Sequence, residues 1–416
     1  MTNTVRRLNE RVIQFGEGGF LRGFVDYFFC RLSEKGLFDG KIAVVQPIEK
    51  GMINLLNEQG GRYNLFLRGI DKGEIVNERT EIDIISRGIN PYEDFDEYMR
   101  LAENPNMRFI VSNTTEAGIE YIGTEKLTDA PAKSFPAKLT QLLYRRFRLG
   151  LGGFIVLSCE LIDNNGKELL KCVKKYADLW DLGDGFKEWL DSENHFCSTL
   201  VDRIVTGYPR DDIEAFESQI PYKDNLIDTA EIFHLWVIEG NFEAELPLKK
   251  AGFNVIWTDD VTPYKKQKVR ILNGAHTSLV PYAMLKDLKT VGECMENEET
   301  LDFVRKCIYD EIIPTLDLPK EQLLSFADSV IERFKNPFVK HQLSSIALNS
   351  FDKFKVRVMP SILEYKARFG EYPKHLMESF DAFCEFYKTD MANDSEENIA
   401  FMRSASKEEI WNKLSE

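Results

Sequence analysis

A short β run that ends in a glycine-rich turn restricts the fold of this chain more than any other segment. Residues 12–15 form the run, and Gly16, Gly18 and Gly19 form the turn, after which apolar residues recur at helical spacing. Strand, glycine turn and helix open a dinucleotide-binding unit, because glycines let the backbone approach a pyrophosphate and a helix start supplies free amides. The match to Gly-x-Gly-x-x-Gly is incomplete, since Leu21 stands at the third glycine, and an ordinary glycine turn is the alternative.

Further apolar runs are predicted to be buried parallel strands, because each is followed by a loop of polar or small residues. Residues 41–46, 108–112 and 153–158 are the clearest of them. In open parallel sheets, ligands bind beyond the carboxyl ends of the strands. The loops at 113–118 and 159–166 are therefore candidate ligand-binding segments, with an ordinary turn as the alternative for the first.

The pattern changes near residue 257, after which apolar residues recur mainly at helical spacing. We therefore expect an α/β protein whose dinucleotide-binding, Rossmann-like N-terminal domain, residues 1–258, has a core of parallel strands. A mostly α-helical C-terminal domain, residues 259–416, is expected to carry the substrate-binding and catalytic groups. The spacing predicts helices over 268–287, 298–313, 321–334, 338–349 and 375–387.

Composition narrows the class of protein and of partner. The 416 residues carry a net charge of -15 with a pI near 5.1, which argues against nucleic acid or an anionic membrane as partner. No run approaches the ~18 apolar residues of a membrane span, and the first residues lack the apolar core of a signal peptide. The seven cysteines are scattered without Cys-x-x-Cys pairs, which favours reduced thiols over disulfides or zinc. We expect a cytoplasmic protein, monomer or small homo-oligomer, that binds no metal.

Residues 268–276 read Lys-Val-Arg-Ile-Leu-Asn-Gly-Ala-His and are predicted to begin an amphipathic helix. At about 100° per residue, Lys268, His276 and Asn273 project at roughly 0°, 80° and 140°, on one side of the helix. An amine, an amide and an imidazole that face one point can act on a carbonyl. The amine transfers a proton, and the other two donate hydrogen bonds to the oxygen. On spacing alone, a solvated lysine beside a buried polar pair is the alternative.

With the flanks Pro-Tyr-Lys before it and Thr-Ser-Leu-Val-Pro after it, this segment resembles the catalytic signature of the long-chain mannitol dehydrogenase family. Its members are metal-independent polyol and sugar-acid dehydrogenases, and the flanks are most similar to a branch that reduces keto-hexuronates. The resemblance implies an NAD-dependent enzyme in which Lys268 is the general acid and base. It also implies that Asn273 and His276 polarise the carbonyl of a keto-sugar acid. A fructuronate reductase, a mannitol-type polyol dehydrogenase and a nucleotide-binding sensor are the alternatives.

The glycine turn resembles this family's variant of the dinucleotide fingerprint. The loop 113–116, Asn-Thr-Thr-Glu, resembles the loop that borders the nicotinamide in the keto-hexuronate branch, and Val-Asp-Arg at 201–203 resembles a separate signature of the family. Gln46 stands where an NAD-binding fold often has an acid. Glu49 follows, with a plain surface carboxylate as its alternative, and no arginine stands there for a 2′-phosphate, so NAD (NADH) is the expected cofactor. The expected cofactor-binding residues are Phe15, Gly16, Gly18, Gly19, Phe20, Arg22, Glu49, Asn113, Thr114 and Asp202.

Several positions differ from the mannitol-type members of the family and indicate an acidic substrate. Leu161 stands where those members have a substrate-contacting Asn, and Ser345 stands where they have an Arg. Lys340 and His341 make the preceding segment basic, and Lys265 falls one helical turn before the predicted catalytic lysine, where those members have Glu. We therefore expect Lys340, His341 and Lys265 to bind the substrate carboxylate. Surface exposure is the alternative for Lys340 and His341.

Overall fold

A computed structural model describes residues 9–115 and 117–416 of the protein. Residues 1–8, on which the expectation about a signal peptide rests, and Glu116 of the loop at 113–118 lie outside the described residues. The chain divides into two compact units, which are Met1–Arg68 with Val76–Val261, and Gly69–Ile75 with Thr262–Glu416. The second unit thus takes in a short segment from the first half of the chain, which the sequence pattern does not indicate.

The strands form a large sheet and a small one. In chain order they are β1 (Glu10–Phe15), β2 (Lys41–Val45), β3 (Tyr63–Asp71), β4 (Glu74–Ile82), β5 (Ile85–Ile89), β6 (Phe109–Ser112), β7 (Ile155–Ser158), β8 (His195–Asp202), β9 (Asp228–Glu231), β10 (Leu235–Glu239) and β11 (Val255–Thr258). The eight-stranded sheet has the order β11-β10-β8-β7-β6-β1-β2-β5, and its neighbours run parallel except for β8 and β10. From β5 to β8 this is the strand order of a doubly wound dinucleotide-binding fold, which confirms the predicted α/β class. The small sheet has the order β4-β3-β9.

Helices of the first unit cover both faces of the large sheet. They are α1 (Gly19–Gly23), α2 (Val25–Glu34), α3 (Ile53–Glu58), α4 (Phe95–Arg100), α5 (Phe135–Arg148), α6 (Asn165–Leu179), α7 (Asp184–Glu193) and α8 (Ile213–Glu217), with 3-10 turns at Leu101–Glu103 and Arg210–Asp212. Successive residues of β1 enter different cores: Val12 packs with α2 and α3, and Ile13 packs with α5, α6 and α7. Burial on both faces explains why these strands are continuous apolar runs. The helix predicted after the glycine turn is interrupted at Phe24, where the backbone has φ -125° and ψ -74°.

The second unit is helical, as predicted. Its helices are α9 (Thr262–Gln267), α10 (Gly274–Met284), α11 (Val291–Glu296), α12 (Glu298–Lys306), α13 (Lys320–Phe334), α14 (Leu343–Ile346), α15 (Ser350–Arg357), α16 (Met359–Phe369), α17 (Lys374–Phe386), α18 (Glu396–Ser404) and α19 (Lys407–Ser415). Two segments, Lys268–Asn273 and Cys307–Ile312, wind as π-helix, and Ile313–Thr315 forms a 3-10 turn. Within the described ranges, every helix is too short or too polar to cross a membrane.

The helix predicted over 338–349 is wrong for most of its length. Asn336 directs a turn instead: its side-chain oxygen accepts a hydrogen bond from the Phe338 N–H at 3.0 Å. Gln342 then pairs with Thr290 in an isolated β-bridge, and only α14 is helical within the predicted range. A local Asx turn and a pairing with a distant segment thus override the helical spacing. Lys340 and His341 consequently lie on an irregular segment.

Candidate active site

The helix that carries the predicted catalytic residues begins earlier than predicted and changes its winding. The α-helical turns of α9 run directly into π-helical turns from Lys268 to Asn273, and α10 follows without a break. In a π-turn, hydrogen bonds join residues five apart rather than four, so Lys268 and Asn273 lie on nearly the same side of the helix. The α-helical angle of about 140° between them is therefore wrong. Such turns frequently interrupt α-helices at functional sites.

The side chain of Asn273 is available to a ligand. Asn273 and Lys268 are both half-buried. Across the described ranges, the amide of Asn273 makes no hydrogen bond. Gly274, the next residue, lets another helix come close, because a Cβ there would lie 3.1 Å from the carbonyl oxygen of Arg357. The Asn273 amide therefore stands unpaired beside the point where the end of α15 reaches this helix.

His276 sits in an aromatic and basic environment. Its ring stacks on Phe334, with 4.1 Å between the ring centroids, and meets the ring of His341 edge-on at 5.1 Å. Burial holds the pKa of His276 well below its ordinary range, and the charges of His341, Arg333 and Arg357 act in the same direction. Its Nε2 is buried and has no hydrogen-bond partner among the described residues. A neutral imidazole can donate one N–H to a carbonyl oxygen, so His276 has the state that the predicted role requires.

The predicted carboxylate-binding residues are only partly brought together. His341 is half-buried beside His276, and burial lowers the pKa of His341. Lys340 is exposed to solvent, because the segment that carries it is a turn rather than a helix. Lys265 is half-buried on α9. The ring of His341 contacts the ring of His276, and Lys265 precedes Lys268 on the same continuous helix.

Arg333 and Arg357 near His276 were not predicted from the sequence. Arg333 lies in the last turn of α13, and Arg357 ends α15. Cations at helix C-termini are common because they interact favourably with the helix dipole. The sequence alone therefore gives no reason to separate these two arginines from ordinary surface charges. Only the packing of the helices brings both close enough to influence His276.

The glycine turn of the first unit lies where the strand order of the large sheet reverses direction. Gly16 has φ +119°, and a Cβ there would lie 3.0 Å from the carbonyl oxygen of Asn113. The Gly16 N–H donates to the Val45 carbonyl at 3.0 Å, and the Asn113 N–H donates to the Phe15 carbonyl at 3.1 Å. The ends of β1, β2 and β6 therefore meet at this turn. Nucleotides bind at such a switch point in doubly wound folds.

The other turn residues differ in what they offer to a cofactor. Gly18 is exposed, with open space where a Cβ would stand, whereas a Cβ at Gly19 would lie 3.4 Å from a carboxylate oxygen of Asp228. Phe20 is half-buried and stacks on Phe24. The side chain of Phe15 is fully buried in the core, so only its main chain faces the turn.

Arg22 points into the unit rather than out of the turn. Its Nε donates to the Glu17 carbonyl at 3.2 Å, its Nη1 donates to the Leu226 carbonyl at 2.5 Å, and its guanidinium lies over the ring of Tyr63. The side chain is 5 % exposed. These contacts hold the glycine turn against the loop that precedes β9, and the role of Arg22 in binding the cofactor stays a prediction.

Two buried carboxyls lie beneath the glycine turn. Asp26 accepts a hydrogen bond from the Tyr63 hydroxyl at 3.0 Å, and Asp228 lies 4.0 Å from the guanidinium of Arg22. Burial raises the pKa of Asp26 to about 7 and that of Asp228 to about 6. The folded state therefore holds protons on these groups at pH values at which the unfolded chain has released them.

Asp26→Asn is expected to raise Tm at pH 8 by several degrees. Because the folded pKa of Asp26, about 7, exceeds its unfolded value of 3.8, the folded state binds more protons than the unfolded state, and stability falls as pH rises through about 7. An uncharged amide of the same shape removes the cost of burying an ionised carboxylate, and it flattens the dependence of Tm on pH between 5 and 8. Calorimetry of the wild type, of this variant and of Asp39→Asn, a control at an exposed position, gives Tm across this pH range. A lower Tm of Asp26→Asn than of the wild type at pH 8 would contradict the prediction.

The side chain of Gln46 holds the loop that follows β2. The Gln46 amide donates to the carbonyls of Ile48 and Glu49, at 2.9 and 3.1 Å, and its oxygen accepts from the Ile53 N–H at 3.4 Å. The buried carboxylate of Glu17 accepts a hydrogen bond from the N–H of Met52, the residue that precedes α3. The side chain of Glu49 itself is exposed.

The loop after β6 is tied to the end of β7 through Glu160. The hydroxyl and N–H of Thr114 donate to one oxygen of Glu160, at 3.1 and 3.2 Å, and the Ser112 hydroxyl donates to the other oxygen at 3.2 Å. The Asn113 amide donates to the Cys159 carbonyl at 2.7 Å. Burial raises the pKa of both Glu160 and Cys159. Glu160 therefore positions Thr114, and the Cys159 carbonyl positions the Asn113 amide. Neither contact was predicted from the sequence.

The remaining predicted cofactor residue, Asp202, is buried at the end of β8, where it pairs with Leu235 of β10. It thus lies at the carboxyl edge of the large sheet, on the strand that follows β7. That edge is where doubly wound folds bind their ligands.

Comparisons with known proteins place the two halves of the chain in one family. The Rossmann domain of mannitol dehydrogenase matches residues 10–250, and the C-terminal domain of mannitol dehydrogenase matches residues 260–409. Proteins named altronate oxidoreductase from Phocaeicola vulgatus and Klebsiella pneumoniae are both 49 % identical to this chain, over 396 and 393 residues. These matches cover 94 % and 93 % of this chain, and 83 % and 81 % of the relatives.

Two solved structures share the fold. A substrate-free D-sorbitol dehydrogenase has a TM-score of 0.83 at 20 % identity, over 98 % of this chain and 92 % of its own. The Pseudomonas fluorescens mannitol 2-dehydrogenase, solved with NAD and D-mannitol, has a TM-score of 0.70 at 21 % identity, over 99 % of this chain and 85 % of its own.

Proposed function

The chain belongs to the mannitol dehydrogenase family, and from that premise we propose that it is an NAD-dependent oxidoreductase that interconverts tagaturonate and altronate in hexuronate catabolism. The relatives named altronate oxidoreductase, which are 49 % identical to this chain over the aligned residues, support the substrate. The observation in the molecule that supports the chemistry is the group of Lys268, the unpaired amide of Asn273 and the neutral imidazole of His276 around one π-helical segment.

The residues of the glycine turn fit a dinucleotide. Gly16 allows the tight turn with φ +119°, and Gly18 borders open space, so a ligand can approach the backbone closely at Gly18. No arginine follows β2 to favour a 2′-phosphate, which supports NAD rather than NADP. When bound, the reduced nicotinamide supplies the hydride that adds to the ketone carbon.

Side chains of the second unit bind the ketone oxygen and transfer a proton to it. Asn273 and His276 donate hydrogen bonds to that oxygen, and these bonds strengthen as negative charge develops on it. Lys268 gives a proton to the same oxygen, which yields the alcohol, and it takes the proton back in the oxidative direction. A lysine cation and two donors supply the electrostatic stabilisation for which other dehydrogenases use a metal.

An assay of NADH oxidation against a panel of ketones tests this function. The panel contains tagaturonate, fructuronate and fructose, which represent the three enzymes that the sequence leaves open. We expect the highest kcat/KM with tagaturonate, because Leu161 cannot make the hydrogen bond by which mannitol-type members hold an alditol. A preference for fructose or fructuronate, or NADH binding without any turnover, would refute the assignment.

Prolonged treatment with a chelator is expected to leave kcat unchanged. The side chains of the described ranges offer no group of three His, Cys, Asp or Glu that could hold a metal ion, and the proposed chemistry draws its charge from Lys268. The measurement is kcat before and after dialysis against the chelator, with and without added zinc. Activity that disappears on chelation and returns with zinc would contradict the prediction.

A further inference from the structure

Arg357, the last residue of α15, carries a guanidinium that has no partner within the described chain. Its side chain is half-buried, burial lowers its pKa, and no acidic side chain offsets that effect. Across residues 9–115 and 117–416, the guanidinium also donates no hydrogen bond. Removing a cation from water without an anion is unfavourable. This arrangement is typical of a group whose partner is a bound ligand.

Other basic groups surround the same point. Arg357 and Arg333 both act on the pKa of His276, and the ring of His341 lies edge-on to His276. Lys353, one helical turn before Arg357, has its pKa lowered first by burial and then by the Arg357 charge. The surroundings of His276 are therefore basic in a chain whose net charge is -15. A local excess of positive charge favours an anionic ligand.

The carboxylate that acts to raise the pKa of Lys353 already accepts hydrogen bonds from other groups. Asp394 acts on Lys353, but one of its oxygens accepts hydrogen bonds from the Tyr387 hydroxyl at 2.5 Å and from the Phe351 N–H at 3.0 Å. Asp394 has no effect on the pKa of Arg357. The described chain thus supplies no internal anion to this guanidinium.

We propose that Arg357 binds the carboxylate of the substrate, so that Arg357 and not the exposed Lys340 makes the enzyme select an acidic sugar. The inference rests on the proposed function, which supplies a substrate with both a ketone and a carboxylate. A guanidinium binds a carboxylate through two parallel N–H···O bonds, which give orientation as well as attraction. Because the main chain of Arg357 contacts the helix at Gly274, the carboxylate is held close to Asn273.

The test compares two substrates in the wild type and in Arg357→Gln. One substrate is tagaturonate, and the other is the ketohexose with a hydroxymethyl group in place of the carboxylate. Loss of a charge-assisted contact should lower kcat/KM for the keto-acid roughly 10- to 150-fold, with little change for the neutral ketose. Arg305→Gln, at an exposed position on α12, is the matched control and should leave both values unchanged. In a second measurement, NADH fluorescence titrated with altronate should show weaker binding to Arg357→Gln.

Failure of the inference and failure of the proposed function give different results. If wild type prefers the neutral ketose, the proposed function is wrong, and the inference is wrong with it. If wild type prefers the keto-acid but Arg357→Gln keeps that preference, or loses both substrates equally with an unchanged Tm, only the inference is wrong. Should Arg357→Gln fold poorly, Arg357→Lys carries the test. It keeps the charge but loses the paired hydrogen bonds, and an intermediate preference for the keto-acid would support the inference, whereas an unchanged preference would refute it.

Discussion

Replacing Lys268 by alanine is expected to lower kcat by at least about 100-fold, because general acid–base groups typically contribute ~10²–10⁴-fold to the rate. Lys268 is the only amine of the predicted catalytic set, and the π-helical turns bring it to the same side of the helix as Asn273. Without it, the proton for the ketone oxygen must come from water, which lacks a fixed position. NADH binding should stay largely intact, because the predicted cofactor residues lie elsewhere in the chain.

The controls separate chemistry from packing. Lys268→Met keeps most of the bulk and should lose as much turnover as the alanine variant. Lys266→Ala removes a neighbouring amine that pairs with Asp317 at 3.8 Å, and it should retain near-normal kcat. The measurements are steady-state kcat and a fluorescence titration with NADH. A Lys268→Ala enzyme that turns over at nearly the wild-type rate would mean that another group moves the proton.

Replacing Asn273 by alanine is expected to lower kcat by about 10²–10³-fold, the usual cost of one donor to a developing oxyanion. Among the described residues, the Asn273 amide makes no hydrogen bond, so the substitution breaks no internal contact and Tm should change little. Asn273→Asp should be worse, because it places a negative charge where negative charge develops in the reaction.

The matched control is Asn412→Ala, at an exposed position on α19, which should leave both kcat and Tm unchanged. If Asn273→Ala lowers Tm as strongly as it lowers kcat, Asn273 is mainly structural. If it changes neither quantity, the proposed role in polarising the carbonyl is wrong.

Local patterns were enough to predict the class of fold and the strand and glycine turn with which it begins. A run of three apolar residues and one glutamine, with a glycine at the next position, describes a strand and a turn that only glycine readily forms, since Gly16 has φ +119°. The apolar strands and the helical second half follow from spacing alone, because burial on one or two faces leaves a periodic pattern in the sequence. The roles of Lys268, Asn273 and His276 were predicted from one short motif, and they remain predictions.

Local patterns failed where distant segments compete with them. The segment with Lys340 has helical spacing but forms a turn, because Asn336 and a pairing with Thr290 override it. Arg22 belongs to a cofactor motif but bonds to Leu226, more than 200 residues away. No local feature separates Arg357 from other cations at helix ends. Spacing determines which faces are buried, whereas the partner of each polar group is decided only when remote helices and strands pack against it.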